Sequence, residues 1–124
     1  ITKYYRAADV FVLPTREDIW GLVINEAMAA GIPVITTDRC AAGVEMVTLE
    51  CGDIIPADDS QALAEAIIKE YRYTAERYQF SVEPDMYSVR SREIITRINK
   101  YTIENMAQRH MEIFGDYLSE IKRA

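Results

Sequence analysis

The sequence has little with which to brace itself covalently or by metal. It has two cysteines, Cys40 and Cys51, and one histidine, His110, in 124 residues. Two cysteines give no disulfide framework and lack zinc spacing; both are expected as small core or loop residues in a reducing compartment. No Cys/His metal cluster, no Ser–His–Asp constellation and no glycine-rich phosphate loop of the Walker type is seen. No run of eighteen apolar residues is present, so no segment is expected to span a membrane. The opening residues lack the pattern of a secretory signal. Positive charge is also short: 14 Lys and Arg stand against 20 Asp and Glu, a net charge of −6. This argues against nucleic acid, whose binding rests on neutralising phosphates. Repeats, low-complexity tracts and linkers are missing as well.

What is present is a chain of one small domain's length, 49% hydrophobic, which fits a globular core rather than disorder. It is organised around residues 10–38. Val10 to Leu13 is an apolar run that Pro14 ends. A polar loop, Pro14 to Gly21, leads into an apolar segment, Leu22 to Ala30, long enough for a helix. Gly31 and Pro33 punctuate, and Val34 to Thr37 reads as a second buried strand. Strand, loop, helix and strand make a βαβ unit with parallel strands. Its ligand place is the loop at the carboxyl end of the first strand, running into the helix N-terminus.

The helix is apolar nearly all round, so both faces are expected to be covered. Glu26 is its only charge, and a covered carboxylate needs partners. Either it caps an amide or pairs with an arginine, or it accepts hydrogen bonds from ligand hydroxyls. Asp18 has two compatible readings, N-cap and ligand contact. For Trp20 a packing role is favoured. Gly21, without a Cβ, lets backbone approach a ligand closely.

Asp18-Ile19-Trp20-Gly21-Leu22, then Glu26-Ala27-Met28-Ala29-Ala30-Gly31-Ile32-Pro33-Val34, resembles the signature segment of retaining glycosyltransferases of the GT-B fold, the glycosyl transferases group 1 type related to glycogen and sucrose-phosphate synthases. That family carries two acids separated by seven residues in this frame. The lead-in Tyr5 to Thr15, the stretch Asp38 to Val47 and Ile55 to Ala64 are similar too, so the resemblance covers most of the chain. Two departures stand out. The first acid is Asp18 where Glu is usual, which shortens its reach. The family's Gly-Gly turn appears as Cys40-Ala41-Ala42-Gly43, which leaves less room for backbone to approach a ligand.

The resemblance implies an α/β fold: the latter part of the second Rossmann-like domain of a GT-B enzyme, a short parallel sheet with flanking helices and a helical C-terminus. Residues 1–58 would be the βαβ donor-binding core and 59–124 the helical part, together an excised piece of a longer enzyme. It implies transfer of a sugar from a nucleotide-diphosphate sugar to an unidentified acceptor. Asp18 would bind donor-sugar hydroxyls and Glu26 the ribose hydroxyls, with Thr15, Trp20, Gly21 and Leu22 around the donor; Trp20 would brace the loop. No metal and no further cofactor are expected. The cations that neutralise the diphosphate would lie upstream, since neither Arg16 nor Arg39 matches their motif positions, so the chain alone is expected to be inactive. A cytoplasmic location, or a peripheral one at the inner membrane surface, goes with this. The alternative is a non-catalytic nucleotide-binding or interaction module on the same fold.

Further expectations concern the rest. Ile1 to Ala8 is a helical stub. Glu45 is placed near the start of a short helix, where it complements the helix dipole, and Thr48 to Ile55 reads as a third strand interrupted at Gly52. Pro56 to Ser60 reads as turn and N-cap of a helix with Leu63, Ala64, Ile67, Ile68 and Tyr71 on one face. Tyr71, Tyr73, Tyr78 and Tyr87 are taken as packing rings, and Ser81 to Pro84 breaks the chain. Residues 85–99 read as a helix with Val89, Ile94, Ile95 and Ile98 inward and Arg90, Arg92, Glu93 and Arg97 outward. Thr102 caps a last helix whose stripe is Ile103, Met106, Ala107, Met111, Phe114, Leu118 and Ile121, with His110 at its border in a packing or surface role. The strand Val10 to Leu13, left as an open edge, and this stripe point to self-association.

Overall fold

A computed structural model describes residues 2–79 and 85–123. The expected break at Ser81–Pro84, and the side chains of Tyr78 and Tyr87, lie outside what it describes. The elements in order are α1 (Thr2–Ala7), β1 (Phe11–Leu13), α2 (Leu22–Ala29), β2 (Val34–Thr37), α3 (Ala41–Met46), β3 (Gly52–Ile55), α4 (Ser60–Gln79), α5 (Asp85–Ile98), a 3-10 turn (Asn99–Tyr101) and α6 (Ile103–Arg123).

The three strands form one parallel sheet in the order β1-β2-β3, with Phe11 opposite Val34 and Val34 opposite Gly52. Strand alternation divides the core in two. Phe11, Leu13 and Val34 face a cluster with Ile24, Ala27 and Met28 of α2, Met46 of α3, and Ile94 and Ile98 of α5. Val10, Val12, Ile35 and Ile55 face Ala62, Leu63 and Ala66 of α4. Helices on both faces are what a parallel sheet requires. Both cysteines are buried and unpaired.

The structure departs from expectation where a tertiary contact decides. The third strand starts at Gly52 rather than being interrupted there. Glu45 lies at the far end of α3, not its start, where the dipole disfavours it; the Tyr101 hydroxyl, 3.1 Å from its carboxylate, holds it instead. On α4 the buried positions are Ala66 and Glu70, while Ile67, Ile68 and Tyr71 are exposed; Asp59 caps the helix through the Ala62 amide. On α5, Ile94 and Ile98 are inward as expected, but Val89 and Ile95 are exposed. Arg90, expected outward, turns in to a bidentate pair with Glu70, both bonds 2.8 Å. Arg97 also turns inward, donating to the Met46 carbonyl. Thr102 caps α6 through the Asn105 amide, and no residue of α6 is buried.

Candidate functional site

The carboxyl ends of the parallel strands all open on one end of the sheet, and the loop from Pro14 to Gly21 crosses it. This loop is stitched down rather than free. Thr37 Oγ1 donates to the Thr15 carbonyl at 2.6 Å, and Thr15 Oγ1 donates to the Glu17 carbonyl at 2.9 Å. The Asp18 amide donates to the Arg39 carbonyl at 3.0 Å, and Asp18 pairs with Cys40 as a parallel bridge. The sheet thus extends one rung beyond its strands, and Asp18 sits on that rung.

Asp18 does not cap α2. Its Oδ1 accepts the Trp20 amide at 3.1 Å, closing an Asx turn two residues on. The N-cap position is Gly21, in the left-handed region at φ 87, and no side chain bonds to the helix start. The Ile24 amide donates back to the Gly21 carbonyl at 2.9 Å, which leaves the Leu22 and Val23 amides as those the helix start offers toward the loop. A side chain at residue 21 would also collide with Cys40, since a Cβ there lies 2.6 Å from its Sγ. Trp20 braces the turn, as the packing reading expects: Nε1 donates to Asn25 Oδ1 at 3.1 Å, and its carbonyl accepts the Ala42 amide at 2.8 Å.

Glu26 departs from the sequence expectation. The helix is not covered on both faces: Ile24, Ala27 and Met28 are buried, but Leu22, Val23, Glu26 and Ala29 form an open face. The reason is local, since α3, α5 and the sheet cover one side and the other faces out. Among the described side chains Glu26 neither caps an amide nor pairs with an arginine; Oε2 accepts the Tyr5 hydroxyl at 2.9 Å. Burial first, then the bond to Glu26 and its charge, push the Tyr5 phenol above its ordinary value. Leu22 and Glu26, four apart, stand one above the other on this face.

Two clefts lie at the strand ends. One, about 610 Å³, is lined by Asp18 with Arg16, Glu17, Asp38, Arg39 and Glu45 among others. The second, about 530 Å³, lies toward the β3–α4 turn, between Pro14, Arg16, Thr37 and Asp58. Of the sequence-derived site residues, only Asp18 lines the first cleft. Trp20 and Gly21 stand behind it as loop supports, Thr15 anchors the loop base, and Leu22 and Glu26 belong to the open helix face. Asp38, Arg39 and Glu45 escaped the sequence reading as cleft residues. The signal for Asp38 and Arg39 was their place directly after a buried strand. Nothing in sequence links Tyr5 to Glu26. No group of three or more metal-ligating side chains occurs among the described residues, and no helix among them is long and apolar enough to cross a membrane.

A parallel sheet with helices on both faces, and loops at its carboxyl ends framing a cleft and an uncapped helix start, defines part of a Rossmann-like domain. The chain belongs to the glycosyl transferases group 1 family, whose profile matches residues 1–72. It is 48% identical over 69 residues to the lipopolysaccharide core biosynthesis mannosyltransferase LpsB of Rhizobium meliloti, covering 53% of this chain and 19% of that protein. It is 41% identical over 67 residues to the capsular polysaccharide biosynthesis glycosyltransferase CapM of Staphylococcus aureus, covering 54% of this chain and 18% of the relative. The chain thus spans about a fifth of the length of these relatives. The structure of sucrose-phosphate synthase from Thermosynechococcus elongatus superposes with a TM-score of 0.59 at 30% identity, over 91% of this chain and 27% of that one.

Proposed function

We propose that this chain is the donor-binding part of a glycosyltransferase, taking a nucleotide-diphosphate sugar and passing the sugar to an acceptor. The observation that carries this reading is the arrangement around α2. An ordered carboxylate, Asp18, precedes a helix start that no side chain caps, and a second carboxylate, Glu26, stands exposed on the open face of the same helix. Bond cleavage at the anomeric carbon leaves an anionic diphosphate, which free helix amides stabilise. It also builds positive charge on the sugar, which favours a firm hold on its hydroxyls. A carboxylate accepts two hydrogen bonds from a diol. Asp18 is assigned to the donor sugar and Glu26 to the ribose, with Leu22 flanking Glu26 on the open face and Thr15, Trp20 and Gly21 holding the loop in shape.

The cleft beside Asp18 carries four carboxylates against two guanidiniums, a poor seat for a diphosphate without further cations. The isolated chain is therefore expected to show no turnover and only weak binding of nucleoside diphosphates; a micromolar dissociation constant by calorimetry would contradict this. The whole protein, assayed against a panel of nucleotide sugars for release of nucleoside diphosphate, tests the reading. Asp18→Asn should lower turnover more than nucleotide affinity. Equal losses in both would show that Asp18 does not face the sugar, and no activity with any nucleotide sugar would favour a non-catalytic binding module.

A further inference from the structure

Arg16 is a cleft residue to which the donor-site reading gives no role. It lines both strand-end clefts, the one beside Asp18 and the one beside the β3–α4 turn. Its Nε donates to Asp58 Oδ1 at 2.6 Å. The two side chains are 84% and 64% exposed, so water screens the pair and it contributes little to stability. The backbone on either side is fixed by the bonds among Thr37, Thr15 and Glu17. A fixed base, a long side chain and a weakly held partner make a cation able to change partners without moving the loop.

We propose that Arg16 is an anion-recognition residue of the donor site, exchanging its bond to Asp58 for bonds to the diphosphate of the donor. The proposal rests on the donor-site reading above. An anion entering the cleft meets Glu17, Asp18, Asp38 and Glu45, with Arg16 and Arg39 the cations lining it. Arg39 is 3.8 Å from its neighbour Asp38, while Arg16 shares its loop with Asp18. A guanidinium presents parallel donors that match phosphate oxygens. Asp58 holds a left-handed backbone at φ 59, a conformation Asp tolerates better than most residues. Its carboxylate is thus a built-in competitor of the ligand for Arg16.

Competition gives a signed test. Pyrophosphate is titrated into the full chain while the Arg16 Nε–H resonance is followed by NMR, with uridine as the control that carries base and ribose but no anion. Arg16→Gln should weaken pyrophosphate binding about tenfold, and Asp58→Asn should tighten it about threefold. Asp58→Asn should have no effect in the Arg16→Gln background. A pair that only holds the loop in place would shift both variants in the same direction. That result, a response to uridine alone, or no pyrophosphate binding by the wild-type chain overturns the proposal. If Asp18→Asn and Glu26→Gln impair nucleotide-sugar use by the whole protein while the Arg16 and Asp58 variants shift together, the Arg16 assignment alone fails. If those two variants leave donor use unchanged, the donor-site reading fails and takes this proposal with it.

Discussion

Gly52 opens β3 with φ at 148, and a Cβ on it would lie 1.8 Å from the Val34 carbonyl oxygen. That oxygen belongs to the neighbouring strand, which cannot yield without breaking the ladder. Gly52→Ala should therefore destabilise the fold by about 2 kcal/mol or more, read as a lower urea midpoint with unchanged slope; an unshifted midpoint would show that the strand pair is looser than described. Tyr5 gives a prediction in pH. Its phenol is held above its ordinary value by burial and by Glu26, so the fold favours the neutral form. The stability this adds is full below the unfolded value of about 10 and is lost as pH rises through the higher folded value. Tyr101, raised by burial and by Glu45, behaves likewise. An alkaline titration of tyrosinate absorbance should show a late component that Tyr5→Phe reduces. At this scale the sequence made Asp18 and Glu26 visible through their spacing. It could not show their partners, because Tyr5 lies 21 residues from Glu26 and the Asp18 turn depends on a bridge to Cys40.

Between elements, the Glu70–Arg90 pair joins α4 to α5. Their side chains are 4% and 14% exposed, and the Tyr73 ring lies 4.7 Å from the guanidinium carbon. Burial alone would lower the arginine's pKa, but Glu70, helped by Tyr73 and Asp53, outweighs it and holds the guanidinium above its ordinary value. Removing one partner strands a buried charge. Arg90→Ala should cost about 3–5 kcal/mol, whereas replacing both partners by apolar residues of similar size should cost far less; equal losses in thermal unfolding would contradict this. The pair also shows why helix faces were only half legible. β1, α2 and β2 stood out because β-branched runs, Pro14 and Gly31 mark them without reference to anything distant. The inner face of α4 did not, because a helical stripe of Ile67, Ile68 and Tyr71 outweighs Ala66 and Glu70 in any count of apolar residues. The choice is made by the sheet, where a small side chain fits, and by a charge from another helix.

At the scale of the whole molecule, two open surfaces among the described residues bear on association. β1 pairs on one side only, and α6 presents Ile103, Met106, Phe114, Leu118 and Ile121 to solvent. Apolar surface of this extent and an open strand edge each promote association. The chain should associate with concentration in sedimentation velocity, and the double change Phe114→Glu with Leu118→Lys should shift it toward monomer. A clean monomer at high micromolar concentration would contradict the expectation. At the other end of the sheet, α2's open face is the expected seat of the nucleotide. Calorimetric titration of the whole protein with the nucleoside diphosphate of its donor, wild type against folded Glu26→Gln, measures this. The variant should bind about tenfold more weakly or worse, since a hydrogen bond to a charged group is lost; unchanged affinity would show that Glu26 does not touch the nucleotide.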